Sequence, residues 1–406
     1  MDLIIRVADT IVHEQGRHAV RDFIFPLANA NFPVFRPVFL DTRFWQSLTQ
    51  RVWHRTVLEQ DTWRLEYDFW HQRHQQIAEN IVQGQYNESF MEVPVLARCT
   101  CLKVSNDCFA AGFLDGHVRV YDITTMALLA DLRGSIQNNP KSVCGIVISG
   151  EDRFTFARED GDIYHGPIMG PLYRAVPGVS WPISLLSFDG NTQYWVGLYS
   201  GIPSFKVWKL VQGEPQLVFS SETSFADWRL GSPRVSVTTS GHVVACDGDS
   251  IFAFSLTDPE RWTCQRWLIQ THNPIGYRML LRTFSTYGNS CVVVVEDTQH
   301  PQHLPLRLMM IDVASGQTLG TCEVPSPYGH RLSVIGCIND RFALVHTDEH
   351  TVRVISYSRA EILLHPTTLQ VNDSYLEIAA VNERYFVSYN ESTFRFMVLD
   401  FLAPPE

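Results

Sequence analysis

The feature that most constrains this chain is a repeat. From about residue 89 onward, short runs rich in Val, Ile, Phe and Tyr alternate with turns of Gly, Asp, Asn and Pro, about every 8–12 residues. One unit recurs within them: an apolar strand, a polar turn, a second apolar strand, an Asp-Gly or similar turn, and a third strand with an aromatic or aliphatic end. The clearest copy is Cys101–Asp122, followed by an outer run at Met126–Leu132. Further copies lie at Cys144–Ile168, Ile183–Leu210, Val235–Leu256, Cys291–Val313 (with Gly316–Cys322 as its outer strand), Leu332–Tyr357 and Ile378–Phe401.

The copies recur at about 40–47 residues, the length of a four-stranded propeller blade. About seven blades fit the length. The last copy ends almost at the C-terminus and lacks an outer strand, which Met91–Leu96 is positioned to supply. Ring closure of that kind leaves no free sheet edge.

Residues 1–88 follow a different period. Ile4, Val7, Ala8, Ile11 and Val12 make one helical face that ends at Gly16. A second helix carries Ala19, Val20, Phe23 and Ile24 and is expected to stop near Pro26. The stretch Asn31–Phe39, with two prolines and three phenylalanines, reads as a connection with large apolar anchors. Asp41 or Thr42 then caps a helix containing Phe44, Trp45, Leu48 and Val52. A longer helix with Trp63, Tyr67, Trp70, Ile77, Ile81 and Val82 runs to Gly84. So many tryptophans in so few short helices are either core or cover for a partner.

Composition narrows the function classes. The formal net charge is -11 and no basic run is present, which argues against nucleic acid as the main partner. No apolar stretch reaches the ~20 residues that span a bilayer, so no membrane partner is expected, and Met1–Ile5 does not read as a signal peptide. The nine cysteines form no C-x-x-C pair; Cys99 and Cys101 are expected on one face of a strand. Reduced, buried thiols in a cytoplasmic or nuclear protein account for them. Of 32 basic residues only Lys103, Lys141, Lys206 and Lys209 are lysine. Codon usage explains that bias, and so does work beside a ubiquitin-conjugating enzyme, whose acceptor is lysine.

The unit Leu114–Asp122 resembles a WD40 blade, with Asp115-Gly116 leading into a strand that ends in Tyr121-Asp122 where the family has Trp-Asp. Lys206-Val-Trp208 and Met310-Ile-Asp312 look like further versions, whereas the family's Gly-His dipeptide has no counterpart in phase. The helical part is similar to an F-box through Phe44–Trp53 and Asp61-Thr-Trp63-Arg64, although no Leu-Pro opens it. The resemblance implies a mainly β, α+β chain: a helical F-box-like module over residues 1–88, then a WD40-like β-propeller of about seven blades over 89–406.

It also implies a non-enzymatic adaptor, in which Phe32, Phe35, Phe39, Trp45 and Leu48 bind a Skp1-like subunit on a cullin scaffold. A protein target would meet the propeller near Trp181, Trp195, Trp228, Arg229, Tyr277 and Arg278, since aromatics and arginines dominate interface hot spots. The alternative is a structural scaffold subunit with no ligase role. No phosphate-binding loop, dinucleotide fingerprint or nucleophile elbow is present. His71 and His74 could share a helix face as metal ligands do, but an exposed Gln-rich face is the simpler expectation. His300 and His303 fall in a Pro-containing loop. Asp160, Asp162, Asp247 and Asp249 fall at strand turns, where Asp bonds local backbone. No cofactor or metal is expected.

Overall fold

In the computed structural model, seven four-stranded antiparallel sheets follow five N-terminal helices. It describes the chain except residues 16, 31–32, 54, 56–57, 94–96, 106, 134–140, 150–152, 179–182, 201–204, 221–233, 239–240, 248–249, 257–264, 269–278, 289, 298–305, 325–332, 349–350, 359–360, 371–377 and 403–406. The inner strands of blades 1 to 7 are Cys99–Val104, Val143–Ser149, Leu185–Gly190, Arg234–Val237, Met279–Tyr287, Ser333–Cys337 and Ile378–Val381. Each of the first six blades takes its four strands in chain order.

Blade 7 is closed from the other end of the β-region. Asn87–Glu92 pairs antiparallel with Arg395–Asp400, from Asn87 opposite Asp400 to Glu92 opposite Arg395. The latch therefore lies four residues before the Met91–Leu96 segment that the sequence suggested. The reason is the end of the preceding helix: Gly84 turns the chain at φ +68° straight into the strand.

The third strands end in the Asp residues that resemble WD40 signals. Asp122 Oδ1 accepts from the backbone N–H of Thr124 and Thr125 and from the Thr125 hydroxyl. These bonds hold its carboxyl below the usual range. Asp312 accepts from Ser315 in the same way. Aromatic residues of adjoining blades then interdigitate: Phe109 and Tyr121 of blade 1 pack with Tyr389 and Phe396 of blade 7.

Five inner strands carry a bulge near their start, as between Cys99 and Cys101 or Val143 and Gly145. A bulge adds twist and re-aims side chains. It sends Cys99 into the core shared with blade 7 and Cys101 toward blade 2, so the two thiols do not share a face. All seven described thiols are free.

The ring is stitched by polar side chains of the inner strands. Thr100 Oγ1 donates to Val143 O at 2.6 Å, and Asn382 Nδ2 to Ser105 O at 2.7 Å. Ser187 Oγ accepts from Val235 N, Asp189 Oδ2 from Val237 N, and Ser285 Oγ from Cys337 N. Ser236 and Thr286 share a 2.8 Å hydroxyl pair. Between blades 2 and 3 the approach is backbone to backbone, and a Cβ on Gly145 would lie 2.1 Å from Phe188 O.

The helices are α1 (Asp2–Gln15), α2 (Arg17–Asn29), α3 (Arg36–Leu40), α4 (Thr42–Trp53) and α5 (Trp63–Gln83). α2 does not stop near Pro26. The ring removes one donor, yet the Pro26 carbonyl still accepts from Ala30 N at 2.8 Å, and buried Ile24 holds the turn in place. The Asn31–Phe39 connection contains α3, which has proline in its first turn. Asp41 caps α4 through Arg43 N, and Thr62 caps α5 through Leu65 N.

Gly145→Ala should force the inner strands of blades 2 and 3 apart and cost about 1–3 kcal/mol or more. A melting temperature lowered by several degrees would show it; an unchanged one would mean that the strands have slack.

Candidate interaction surfaces

α5 takes part in two cores. Its first half, with Trp63, Tyr67 and Trp70, packs with Phe39, Phe44, Trp45, Leu48, Val52 and Trp53. Its second half, with Ile77, Ala78 and Ile81, packs instead with Ile338, Phe342, Phe386, Leu399 and Phe401 of blades 6 and 7. Asn80 Nδ2 adds a 2.7 Å bond to Phe401 O. The four tryptophans of the helical part are buried within the chain, so their area is spent on these cores and covers no partner.

This places the expected scaffold-binding residues. Phe39, Trp45 and Leu48 are buried, and the Trp45 indole N–H is spent on Phe39 O at 2.9 Å. Phe35 is half-buried against the same core, and Phe32 lies outside the described residues. These side chains shape the surface without being the surface. What solvent meets beside them is Val34, 80% exposed, and Leu40, 74% exposed, with Pro33 and Pro37. Of the expected target-binding residues, Trp195 is fully buried beside His165 and Phe188. Trp181, Trp228, Arg229, Tyr277 and Arg278 lie outside the described residues.

The joint between helices and propeller is polar at its centre. Arg17, at the start of α2, donates from Nη1 to Glu383 Oε1 at 2.6 Å, and its backbone N–H donates to Asp340 Oδ2 at 2.8 Å. The Tyr287 hydroxyl donates to the same Glu383 oxygen at 2.5 Å. His74 Nε2 lies 3.3 Å from Glu383 Oε2, and the His74 ring stacks on Trp53 at 4.7 Å. The Arg17 guanidinium rests over the rings of Tyr287 and Trp53. Tyr287, Asp340 and Glu383 stand at the turns that lead out of the inner strands of blades 5, 6 and 7. Thus α2 and α5 sit on the end of the ring where these inner strands finish, opposite the end where they begin.

His71 and His74 therefore do not belong to an exposed face. Both are buried, because i, i+3 spacing aims them at Trp53, His18 and the blade turns. Burial holds each imidazole down to about 4. Burial alone would raise the Glu383 carboxyl, but Arg17, then His74 and the Tyr287 hydroxyl, hold it down to about 2. No described group of three or more His, Cys, Asp or Glu could hold a metal. Nothing local in the sequence marks this joint, since Arg17 and Glu383 are 366 residues apart.

The central channel encloses about 430 Å³ and is lined by Thr100, Lys103, Ser187, Asp189, Ser236 and Ser285 among others. Lys103 and Asp189 pair across it at 2.9 Å. Lys206 lies over the Tyr199 ring, and Lys209 is exposed. Asp160 bonds the Asp162 backbone, as a turn aspartate does, whereas Asp162 is buried and accepts from Gly178 N and the Tyr164 hydroxyl. Asp249, His300 and His303 lie outside the described residues, as does the side chain of Asp247. No described helix is long and apolar enough to cross a membrane.

No family model matches the chain. A transcriptional regulator of Arabidopsis thaliana, STERILE APETALA, is 28% identical over 318 residues, which cover 74% of this chain and 68% of the relative. Among solved structures, U3-55K superposes with a TM-score of 0.56 at 10% identity, covering 77% of this chain and 98% of that one. The RRP9 WD40 repeats give 0.56 at 9%, covering 77% and 97%. A chain of the mitotic checkpoint complex gives 0.54 at 9%, covering 77% and 90%. The fold is that of a seven-bladed WD40-type propeller.

The joint should weaken in acid. The histidines titrate near 4 when folded and near 6.5 when free, so the unfolded chain binds more protons between those values. Their contribution is whole above about pH 6.5 and is lost as pH falls toward 4; Glu383 extends the loss from 4.5 toward 2. Proteolytic accessibility of residues 1–83 should rise over that window, and His74→Gln should flatten the dependence. Arg17→Met leaves Glu383 without its main cation. It should cost about 3–5 kcal/mol, less the share that Tyr287 and solvent at the partly exposed carboxylate still supply, read as earlier release of the helices on heating.

Proposed function

We propose that the chain is a non-enzymatic adaptor whose helical part docks on a Skp1-like subunit of a cullin scaffold while the propeller holds a protein target. One observation carries this reading. A small helical body keeps an apolar edge, Val34 and Leu40, in solvent, although it has a full core of its own and a buried joint to the ring. The inner strands of blades 5, 6 and 7 finish beside that body and begin at the other end of the ring, so a target bound at that other end would stand clear of the scaffold. The likeness to a relative described as a transcriptional regulator supports a target in transcriptional control, and with it a nuclear site of action.

A structural scaffold is the second reading. It is favoured by apolar side chains exposed on the outer strands of blades 1 to 3: Leu128, Leu129, Tyr173, Leu217 and Val218. The closure expected to leave no free sheet edge does not reach these strands: each is the last in its sheet and pairs on one side only.

Affinity purification of the intact chain should recover Skp1 and a cullin. Val34→Asp combined with Leu40→Asp should cut that recovery about tenfold or more, as charge placed in an apolar contact does, without moving the melting temperature. Recovery of an unrelated complex without Skp1 would overturn the adaptor reading in favour of the scaffold.

A further inference from the structure

Where the α4–α5 connection passes over α5, three guanidinium groups gather. Arg55 lies over the Trp70 ring at 3.4 Å from its centroid, and Arg73 over the same ring at 5.0 Å. Arg384 of blade 7 stands close enough to act electrostatically on Arg73. Arg384 is satisfied, because it holds both oxygens of Asp400. Arg55 and Arg73 are not: neither has a hydrogen bond or ion pair to any described residue, although both are half-buried. Burial, then the repulsion of Arg384 and Arg55, holds the Arg73 guanidinium below its usual range.

The carboxylates nearby are taken or out of reach. Glu66, fully buried, accepts from the Trp70 indole N–H and from the backbone N–H of Glu59 and Gln60. Glu383 is bound in the joint, and Asp400 by Arg384 and Leu402 N. Glu59 and Asp107 are exposed and form no ion pair with either arginine. Two unpaired cations held half out of water, in a chain of net charge -11, call for an outside anion.

We propose that Arg55 and Arg73 bind an acidic segment of a partner protein, with one carboxylate on Arg55 and a second, two residues along, on Arg73. The spacing supports it. Distances of 3.4 and 5.0 Å to one centroid leave the two guanidinium carbons at most about 8 Å apart. Alternate residues of an extended strand are about 6.6–6.8 Å apart and point the same way. Each guanidinium, held against the indole, offers a fork to one carboxylate. The proposal does not depend on what the Val34–Leu40 edge meets.

The test uses the full chain and a labelled heptapeptide with Asp at its third and fifth positions, followed by fluorescence anisotropy at low salt. Its companions carry Asn at both positions, Asp at the third and fourth, or a single phosphoserine at the third. The alternating Asp peptide should bind about tenfold tighter than the Asn peptide and tighter than the adjacent-Asp peptide. Arg55→Ala and Arg73→Ala should each weaken it, and the pair should abolish the preference. Arg55→Gln with Arg73→Gln, which keeps planar side chains on Trp70, should do the same in a chain whose melting temperature is unchanged. Equal affinity for Asp and Asn, or a preference that survives both double variants, would overturn the proposal. Stronger binding of the phosphoserine peptide would overturn the paired-carboxylate occupant.

Discussion

Everything distinctive about this molecule depends on α5 serving two cores. Its first turns complete the core of the helical body, and its last turns fill the groove between blades 6 and 7. A helix shared in this way cannot pivot without exposing apolar surface at both ends, at about 25 cal/mol per Å². The polar joint of Arg17, Glu383, Tyr287 and His74 then fixes rotation about the helix axis, which apolar packing leaves soft. Hydrophobic contact sets the distance between the two parts, and directional bonds set the angle.

The shortage of lysine takes on a further physical meaning. Of the nine arginines in residues 1–88, five stack on aromatic rings: Arg17, Arg21, Arg55, Arg64 and Arg73. A planar guanidinium can lie on an indole and still donate sideways, whereas an ammonium must choose. Arg17 uses both capacities at once. Codon usage is sufficient for the propeller, but in the helical part the aromatic content itself favours arginine.

The ring was legible because each blade repeats a period-2 pattern with a turn signal at a fixed offset. The fifth unit was entered one strand late. Its inner strand, Met279–Tyr287, has a register shift after Leu281 that breaks the alternation. The same kind of irregularity separated Cys99 from Cys101. Helix ends followed local rules except at Pro26, where packing overrode the missing donor. The surfaces were less legible. Large aromatics look alike whether they fill a core or face a partner, and Phe39, Trp45, Leu48 and Trp195, expected as contact residues, are core. The joint was invisible because its members come from opposite ends of the chain.

Lys103 is spent inside the channel and Lys206 lies against Tyr199, which leaves Lys209, on the third strand of blade 3, as the exposed side-chain amine among these. Lys141, partly exposed before the inner strand of blade 2, is a second such amine, so reagents that acylate lysine meet the ring on blades 1 to 3. Blades 6 and 7, on which α5 packs, carry no lysine, and a tether attached by that chemistry leaves them uncovered.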